Sequence, residues 1–229
     1  MSYPDPRATA IDMQSYARKH WFDYFCEFDN PLIYKTVQFD VTELKKYCRE
    51  NNLKFSLTMG FILTRATNHV AEFRHRIHDD AVIEYDKVVP VFTVLKPDRI
   101  VELMQGVYTD CFADDYTENI AIQERVRLGV EMPPQGNDLG RVFITTNPWT
   151  THSAAQLPFT KRLASIPGYI VGKIQEENGR MKLAISLQVH HALMDGYHVG
   201  HLVHNVQRHL DDPTLIQREY QSLFDSIAL

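Results

Sequence analysis

Apolar and polar residues alternate in several stretches of the chain, and this alternation predicts β-strands. The clearest stretch is residues 183–189, where Leu, Ile, Leu and Val occupy every second position. It belongs to a strand expected over residues 180–190, which is joined to a strand over 168–175 by the hairpin turn 176–179 with its Asn-Gly pair. Further strands are expected over residues 32–41, 81–85, 89–95, 100–108 and 141–146.

Other segments place apolar residues three or four positions apart, which is the spacing of an amphipathic helix. Ser and Thr side chains cap helices by accepting hydrogen bonds from the first N–H groups, so Thr42 and Ser56 are expected to be caps. Two prolines and a glycine make residues 133–137 a loop. The expected helices run over residues 11–26, from Thr42 to 51, from Ser56 to about 70, over 114–130 and over 197–210.

Strands and helices follow one another without strict alternation, which favours a mixed β-sheet flanked by helices. The 229 residues are enough for one well-filled core and marginal for two, so a single domain is expected. Residues 1–10 contain two prolines and are expected to be flexible. Residues 211–229 are expected to form an amphipathic helical extension that packs on the body or on a neighbouring subunit, through Leu215, Tyr220, Leu223, Phe224 and Ile227.

Composition and charge narrow the classes of function. The net charge is −5 and no run of Lys or Arg exceeds two residues, which argues against a nucleic-acid or polybasic membrane partner. No apolar run approaches the roughly 20 residues that span a bilayer. The three cysteines are scattered and the N-terminus does not resemble a secretory signal, so a reduced, cytoplasmic protein is expected.

The segment His190-His191-Ala192-Leu193-Met194-Asp195-Gly196 follows a strand and precedes a helix. Loops at strand ends are common places for functional side chains. Imidazole can take a proton from a hydroxyl near neutral pH, provided that one ring nitrogen is held as the donor. A carboxylate four residues after His191 can buttress either the backbone or the ring.

Two other interpretations of this segment stay open on the residues alone. Histidine pairs at strand ends are often ordinary polar residues. A metal site is also possible, with His190, His191, Asp195 and His198 as ligands. Against a metal site, adjacent histidines on a strand point to opposite faces.

The stretch Gln188-Val-His-His-Ala-Leu-Met-Asp-Gly-Tyr-His-Val199 closely resembles the active-site segment of type A chloramphenicol acetyltransferases. The resemblance spans roughly residues 11–210. It implies a two-layer α/β sandwich, assembled as a homotrimer with active sites at subunit interfaces, and an acetyl-CoA co-substrate without a metal. The resemblance is carried by further segments in the same order and spacing, namely residues 18–25, 39–42, Lys54-Phe55, Asn68, Arg74, Asp79-Asp80, 90–94, 134–136, 144–149 and the hairpin 168–188.

The resemblance also implies roles for individual residues. His191 is the general base, and Asp195 pairs with Arg18 to hold the loop. Thr145 stands where the family places the serine whose hydroxyl stabilises the oxyanion. The positions of Lys54, Trp149 and Lys173 border the coenzyme A site.

Departures from the family pattern concentrate around the acceptor pocket. Val101 and Pro133 stand where the family has aromatic residues against the chloramphenicol ring. Ile170 replaces a frequent threonine, Phe25 replaces a tyrosine, and Ile174 replaces an aromatic residue beside coenzyme A. Missing polar contacts change specificity strongly, so the acceptor is either chloramphenicol, which is the default, or another small-molecule hydroxyl compound.

The leading hypothesis is therefore a coenzyme A-dependent O-acetyltransferase of the kind that confers antibiotic resistance. Two rival hypotheses remain. The catalytic core of a dihydrolipoyl acyltransferase shares the His-x-x-x-Asp-Gly pattern, but it predicts a preceding lipoyl domain and linker, for which the first expected helix at residue 11 leaves no room. A non-catalytic binding protein on the same fold is the other rival.

Overall fold

The protein is built around a six-stranded mixed sheet, described here from a computed structural model of residues 5–130 and 139–219. The strands are β1 Ala8–Ala10, β2 Leu32–Asp40, β3 His75–His78, β4 Ala81–Tyr85, β5 Val89–Leu95, β6 Val101–Gln105, β7 Arg141–Thr146, β8 Gly168–Glu177 and β9 Arg180–His190. The α-helices are α1 Lys19–Phe25, α2 Thr42–Glu50, α3 Phe55–Asn68, α4 Phe112–Arg127 and α5 Gly196–Asp211. Short 3₁₀ turns occupy Ala71–Arg74, Lys161–Leu163 and Pro213–Gln217.

The large sheet has the order β2-β9-β8-β7-β5-β6. Strands β5, β7 and β8 are parallel neighbours, and the other pairs are antiparallel. A separate antiparallel sheet has the order β1-β4-β3. Helices and mixed strands therefore form the α/β architecture that the sequence predicts.

The β8–β9 hairpin turns through Asn178 and Gly179, whose φ angles are 51° and 75°. Two consecutive positive φ angles define the primed turn that matches the twist of a hairpin, and Asn-Gly is its preferred pair. The predicted turn is thus confirmed at its two central residues.

Both faces of β9 are covered. Leu183, Ile185 and Leu187 face the core, which helices α2, α3 and α5 help to close. On the opposite face, the loop 148–167 crosses the sheet, and the N–H of Leu157 donates to Oε1 of Gln188 at 2.9 Å. Alternation along β9 therefore separates core residues from residues under this loop, and both sets are buried.

Helix α3 is buried on nearly its whole circumference, from Leu57 to Thr67. A helix that is apolar all round lies inside a protein rather than on its surface. Gly60 permits the close approach of β5, because a Cβ there would lie 2.5 Å from the Phe92 ring.

Both predicted helix caps are wrong by one or two residues. Thr42 is the first residue of α2, since its hydroxyl donates to Oδ1 of Asp40 at 2.6 Å and Val41 takes the cap position. Helix α3 begins at Phe55, before Ser56, and its cap residue Lys54 is held by the Tyr116 hydroxyl, which accepts the Lys54 N–H at 2.8 Å. The Thr42 hydroxyl thus bonds to the nearby Asp40 and accepts the N–H of Met181, while a tertiary contact holds the cap residue of α3.

The N-terminal region also differs from expectation. The predicted helix over 11–26 is shorter, because Asp12 accepts from the N–H of Gln14 and forms a turn before α1. Within residues 1–10, which were expected to be flexible, Ala8–Ala10 form β1 and pair with β4.

At the C-terminal end, the helical extension expected from residue 211 begins as the 3₁₀ turn Pro213–Gln217. Arg65 is fully buried beneath it and donates to the carbonyls of Leu215 and Ile216. Residues 220–229 and the predicted loop 133–137 lie outside the described residues. Among the helices of the described residues, none combines the length and apolar character needed to cross a membrane.

Candidate active site

His191 directly follows the end of β9. Its N–H donates to the carbonyl of Pro31 at 2.8 Å, which continues the pairing with the start of β2. Its Nδ1 lies 3.1 Å from the carbonyl oxygen of Met194. A carbonyl oxygen only accepts, so Nδ1 carries the proton and Nε2 keeps a lone pair. This is the tautomer that a general base needs.

The His191 ring stacks on Phe25, with centroids 4.0 Å apart and an angle of 22° between the planes. Trp21 stacks on Phe25 in turn, at 5.6 Å and 25°. Three rings thus form a continuous stack that limits rotation of the imidazole. The sequence interpretation included Phe25 but missed Trp21, although the one-turn spacing of the two aromatic residues on α1 is visible in the sequence.

Arg18 lies at the N-terminal end of α1 and joins two parts of the site. Its Nη1 donates to Oδ2 of Asp195 at 2.6 Å, and its Nη2 donates to the carbonyl oxygen of His191 at 3.1 Å. The carboxylate therefore braces the backbone of the loop through the guanidinium, and not the imidazole ring. Arginine suits this role because its rigid planar fork presents several donors at once.

Asp195 is also the N-cap of α5, since its Oδ1 accepts the N–H of Tyr197 at 3.0 Å. Partial burial raises the pKa of Asp195, but the hydrogen bonds from Arg18 and from the Tyr197 N–H outweigh it, together with the charge of His198. The net result is a pKa below the usual range for aspartate. Asp195 thus remains a carboxylate that both caps the helix and pairs with Arg18.

The neighbouring His190 has a different environment. It is buried, and its Nδ1 accepts the N–H of Ala192 at 3.2 Å. Burial and the adjacent His191 lower the pKa of His190 to about 4, so its ring is neutral near pH 7. No group of three or more His, Cys, Asp or Glu side chains within residues 5–130 and 139–219 is arranged to hold a metal ion.

Thr145 lies on β7, and its Oγ1 is 3.2 Å from Oγ1 of Thr93 on β5. Oγ1 of Thr93 also accepts the N–H of Thr146 at 3.3 Å. A hydroxyl can donate one hydrogen bond while it accepts another, so Thr93 can donate to Thr145, an arrangement that leaves the Thr145 proton available to a ligand. Sequence reasoning missed Thr93, whose relation to Thr145 depends on the strand register.

A cavity of about 840 Å³ opens where β5 and β7 end and where β8 bulges between Val171 and Ile174. This volume lies within the usual range of small-molecule sites. Five residues that the sequence interpretation placed in or beside the site line this cavity, namely Val101, Thr145, Trp149, Lys173 and Ile174.

Two lysines line this cavity, Lys173 and Lys45, of which Lys45 was missed by sequence reasoning. The Nζ of Lys45 lies 5.6 Å from the centre of the Phe55 ring. The predicted Lys54 does not line the cavity, but its Nζ donates to Oε1 of Gln123, a lining residue, at 2.8 Å. Cations beside an apolar cavity with exposed Trp149 fit a long anionic ligand such as coenzyme A.

His191 and Thr145 are far apart within one chain. Thr145 is in register with Ile170, and Ile170 with Ser186 of β9, two strands away. His191 is five residues further along the chain, so the two Cα atoms are about 19 Å apart by strand geometry. Ile170, one of the predicted acceptor-pocket residues, is the direct partner of Thr145 on the neighbouring strand. Pro133, another of them, lies outside the described residues.

A family model and curated relatives both indicate one family. The family model described as chloramphenicol acetyltransferase matches residues 7–207. A chloramphenicol acetyltransferase of Proteus mirabilis is 28% identical over 213 residues, which cover 88% of this chain and 94% of the relative. One from Clostridium perfringens is 29% identical over 208 residues, covering 86% of this chain and 95% of the relative.

Solved structures show the same fold. A chloramphenicol acetyltransferase superposes with a TM-score of 0.76 at 22% identity, covering 89% of this chain and all of that one. A dihydrolipoamide acetyltransferase of Azotobacter vinelandii superposes less closely, with a TM-score of 0.62 at 17% identity, covering 87% and 88% of the two chains. From the family match over most of its length, this chain belongs to the chloramphenicol acetyltransferase family and is an acyltransferase.

Proposed function

We propose that the protein transfers an acetyl group from acetyl-CoA to a hydroxyl of a small molecule, with His191 as the general base and chloramphenicol as the default acceptor. The observation that carries this proposal is the contact between Nδ1 of His191 and the Met194 carbonyl, which leaves Nε2 as a proton acceptor. An alcohol becomes an effective nucleophile only when such a base removes its proton.

The proposed reaction has two stages. Nε2 of His191 takes the hydroxyl proton while the oxygen attacks the thioester carbonyl carbon, which gives a tetrahedral oxyanion. The C–S bond then breaks, and the thiolate takes the proton back from His191, so the products are the acetyl ester and free thiol. His191 ends in its starting protonation state.

Thr145 is proposed to donate its hydroxyl proton to the oxyanion. The Thr93 contact supports this role, because Thr93 is placed to donate to Thr145 while it accepts the Thr146 N–H. A preorganised donor of this kind stabilises the charge that develops in the transition state. Threonine in place of serine keeps the hydroxyl and restricts its rotation.

The distance of about 19 Å between His191 and Thr145 in one chain supports a site shared between subunits. One chain would supply the base, and its neighbour the oxyanion donor and the cavity. The homotrimer implied by the family resemblance meets this requirement, because cyclic symmetry repeats the same pair of surfaces at each interface.

Acetyl-CoA is proposed to occupy the cavity of about 840 Å³. Lys45 and Lys173 can pair with its phosphate groups, and the indole of Trp149, 62% exposed, offers a surface for stacking. Thr145 lines the cavity, which supports its proposed role as the oxyanion donor.

A different acceptor is the second candidate within the same reaction class. Val101 lines the cavity and is 53% exposed, and it has no ring to pack against chloramphenicol. Ile170 cannot make the polar contact of a threonine. A bulkier acceptor would fill the space that the smaller side chains leave.

The test is an assay of thiol release from acetyl-CoA with a panel of hydroxyl acceptors that includes chloramphenicol. Acceptor-dependent release is the expected result, and the acceptor with the highest kcat/KM identifies the substrate class. Absence of release above buffer with every acceptor would favour a non-catalytic binding protein. A higher kcat/KM with dihydrolipoamide than with any alcohol would favour the hypothesis of a dihydrolipoyl acyltransferase.

A further inference from the structure

His198 contacts the carboxylate oxygen of Asp195 that Arg18 does not use. Its Nδ1 is 2.9 Å from Oδ1 of Asp195 and 3.1 Å from the backbone nitrogen of the same residue. Its Nε2 is 3.4 Å from Oε1 of Glu72 in the turn after α3. The side chain of His198 is only 12% exposed, so solvent screens these contacts weakly.

These contacts form a continuous series that ends at the proposed base. Glu72 contacts His198, and His198 contacts one carboxylate oxygen of Asp195. The other carboxylate oxygen accepts from Arg18, which donates its second hydrogen bond to the carbonyl oxygen of His191. Each carboxylate oxygen of Asp195 is therefore in contact with a different side chain, Oδ1 with His198 and Oδ2 with Arg18.

The proton positions follow from the chemistry of the partners. A carboxylate only accepts, so Nε2 of His198 donates to Glu72. In the neutral ring Nδ1 then accepts the N–H of Asp195, and in the protonated ring Nδ1 donates to the Asp195 carboxylate. In either form His198 holds Asp195 in place.

The surroundings keep Glu72 ionised. Burial raises the pKa of Glu72, but the hydrogen bond from His198 and the charges of His198 and His75 lower it to about 2. Desolvation lowers the pKa of His75, and its ring lies 5.9 Å from that of Tyr16. The hydroxyl of Tyr16 also lies close enough to this carboxylate to interact with its charge.

We propose that His198 and Glu72 are positioning residues for acyl transfer, which act through Asp195 and Arg18 on the loop that carries His191. This inference rests on the proposed function. Without His198, Oδ1 of Asp195 keeps only the N–H of Tyr197 as a partner, so the carboxylate is held less firmly against Arg18. Displacement of a catalytic group by about 1 Å can lower a rate by about 100-fold, so a modest shift of the loop has a large kinetic effect.

The kinetic test compares Glu72→Gln and His198→Asn with two matched controls, Glu177→Gln and His78→Asn, at exposed positions outside the network. We expect kcat to fall about tenfold or more in the first two variants, with KM for acetyl-CoA within about twofold of wild type, because neither side chain lines the cavity. Unchanged kcat in both variants would overturn the inference.

A double-mutant cycle separates positioning from general destabilisation. If Glu72 and His198 act through Asp195, each substitution has little further effect on kcat in an Asp195→Asn background. Effects that multiply independently in that background would contradict the proposed route. Thermal unfolding of each variant checks that equal amounts of folded protein are compared.

A measurement without turnover distinguishes this inference from the proposed function. Diethyl pyrocarbonate acylates an unprotonated imidazole nitrogen, and peptide mass spectrometry gives the rate at His191, with His78 as an internal reference. We expect slower modification of His191 in Glu72→Gln and His198→Asn, because loss of the ordered loop weakens the preference for the tautomer with a free Nε2. If wild type shows no thiol release but His191 modification slows, the function fails and the positioning network stands. Rates equal to wild type would overturn the network.

Discussion

Nδ1 of His191 lies 3.1 Å from the carbonyl oxygen of Met194, three residues further along the same loop. The loop folds back on itself because the N–H groups of Leu193 and Met194 both donate to the carbonyl of His190. The Met194 side chain is fully buried, which anchors the carbonyl. The tautomer of the proposed base is therefore set by the backbone of its own loop.

Replacing His191 by Ala should remove the proposed base and leave the fold intact, since the side chain is only partly buried. We expect kcat for thiol release to fall by about 10²–10⁴-fold, the usual contribution of general base catalysis. His78→Ala is a matched control at an exposed position. An activity above about a tenth of wild type in His191→Ala would remove His191 from the role of base.

Two substitutions of Asp195 should separate its two structural roles. Asp195→Asn keeps an oxygen for the N–H of Tyr197 but loses the charge that pairs with Arg18. Asp195→Ala loses both, so its free energy of unfolding should be lower than that of the Asn variant by about 1 kcal/mol, as for other helix caps. Both variants should lose activity to a similar extent, and urea unfolding with parallel kinetics measures the difference. Equal stability of the two variants would contradict the capping role.

Arg18→Lys tests the guanidinium fork. Lysine keeps the charge but cannot donate to Asp195 and to the His191 carbonyl in the same rigid geometry. We expect kcat to fall about tenfold or more while KM for acetyl-CoA changes little. Lys19→Arg, on the exposed face of α1, is the control for altered charge geometry on this helix. A fully active Arg18→Lys variant would show that a positive charge at this position is enough to hold the loop, without the guanidinium fork.

Subunit complementation tests the shared site. Thr145→Val should lower kcat by about 10²–10³-fold, as loss of an oxyanion donor does. Co-assembly of Thr145→Val with His191→Ala should restore about a quarter of wild-type activity, because a quarter of randomly formed interfaces combine an intact His191 with an intact Thr145. Separately purified and unmixed variants are the control. No recovery in verified mixed oligomers would place both residues in one chain.

The lysines of the cavity should affect acetyl-CoA binding. Lys45→Gln and Lys173→Gln each remove one cation from the wall, so KM for acetyl-CoA should rise several-fold while kcat is nearly unchanged. The difference from wild type should shrink at high salt, where charge interactions are screened. Lys182→Gln is a control, since this lysine pairs with Asp40 and does not line the cavity. Equal KM values at low salt would exclude both lysines from the site.

Asp115 should make stability depend on pH. Burial raises its pKa to about 7, although hydrogen bonds from Asn119 and the Thr109 N–H lower it, and the nearby Asp110 adds to the rise. The folded chain therefore holds this proton up to higher pH than the unfolded chain, whose aspartates titrate near pH 4, so stability is lost as pH rises between about 4 and 7.

Asp115→Asn should remove this dependence. We expect the variant to gain about 2–4 kcal/mol of unfolding free energy relative to wild type between pH 4 and pH 8, measured by urea unfolding. Asp114→Asn, at the exposed neighbouring position, should show no such gain. A constant difference across this pH range would contradict the raised pKa of Asp115.

Local patterns in the sequence determined the elements that carry the site. Strict alternation predicted β9, the Asn-Gly pair predicted the hairpin turn at 178–179, and helical spacing predicted α5 to within one residue at each end. These features depend on periodicity and turn chemistry within a few neighbouring residues, and so they can be predicted without the rest of the chain. The fold class and the family followed from the same segments.

Tertiary structure alone decided which distant side chains meet. Thr93 contacts Thr145 because of the register of β5 and β7. Glu72 contacts His198, which is 126 positions further along the chain. Thr42 and Ser56 failed as caps, and distant groups contact those helix ends: the N–H of Met181 donates to the Thr42 hydroxyl, and the Lys54 N–H donates to the Tyr116 hydroxyl. Such contacts depend on strand pairing and packing, which cannot be predicted from local periodicity. The sequence by itself thus determined where the histidine loop lies and predicted its chemistry, whereas packing decided how that loop is held.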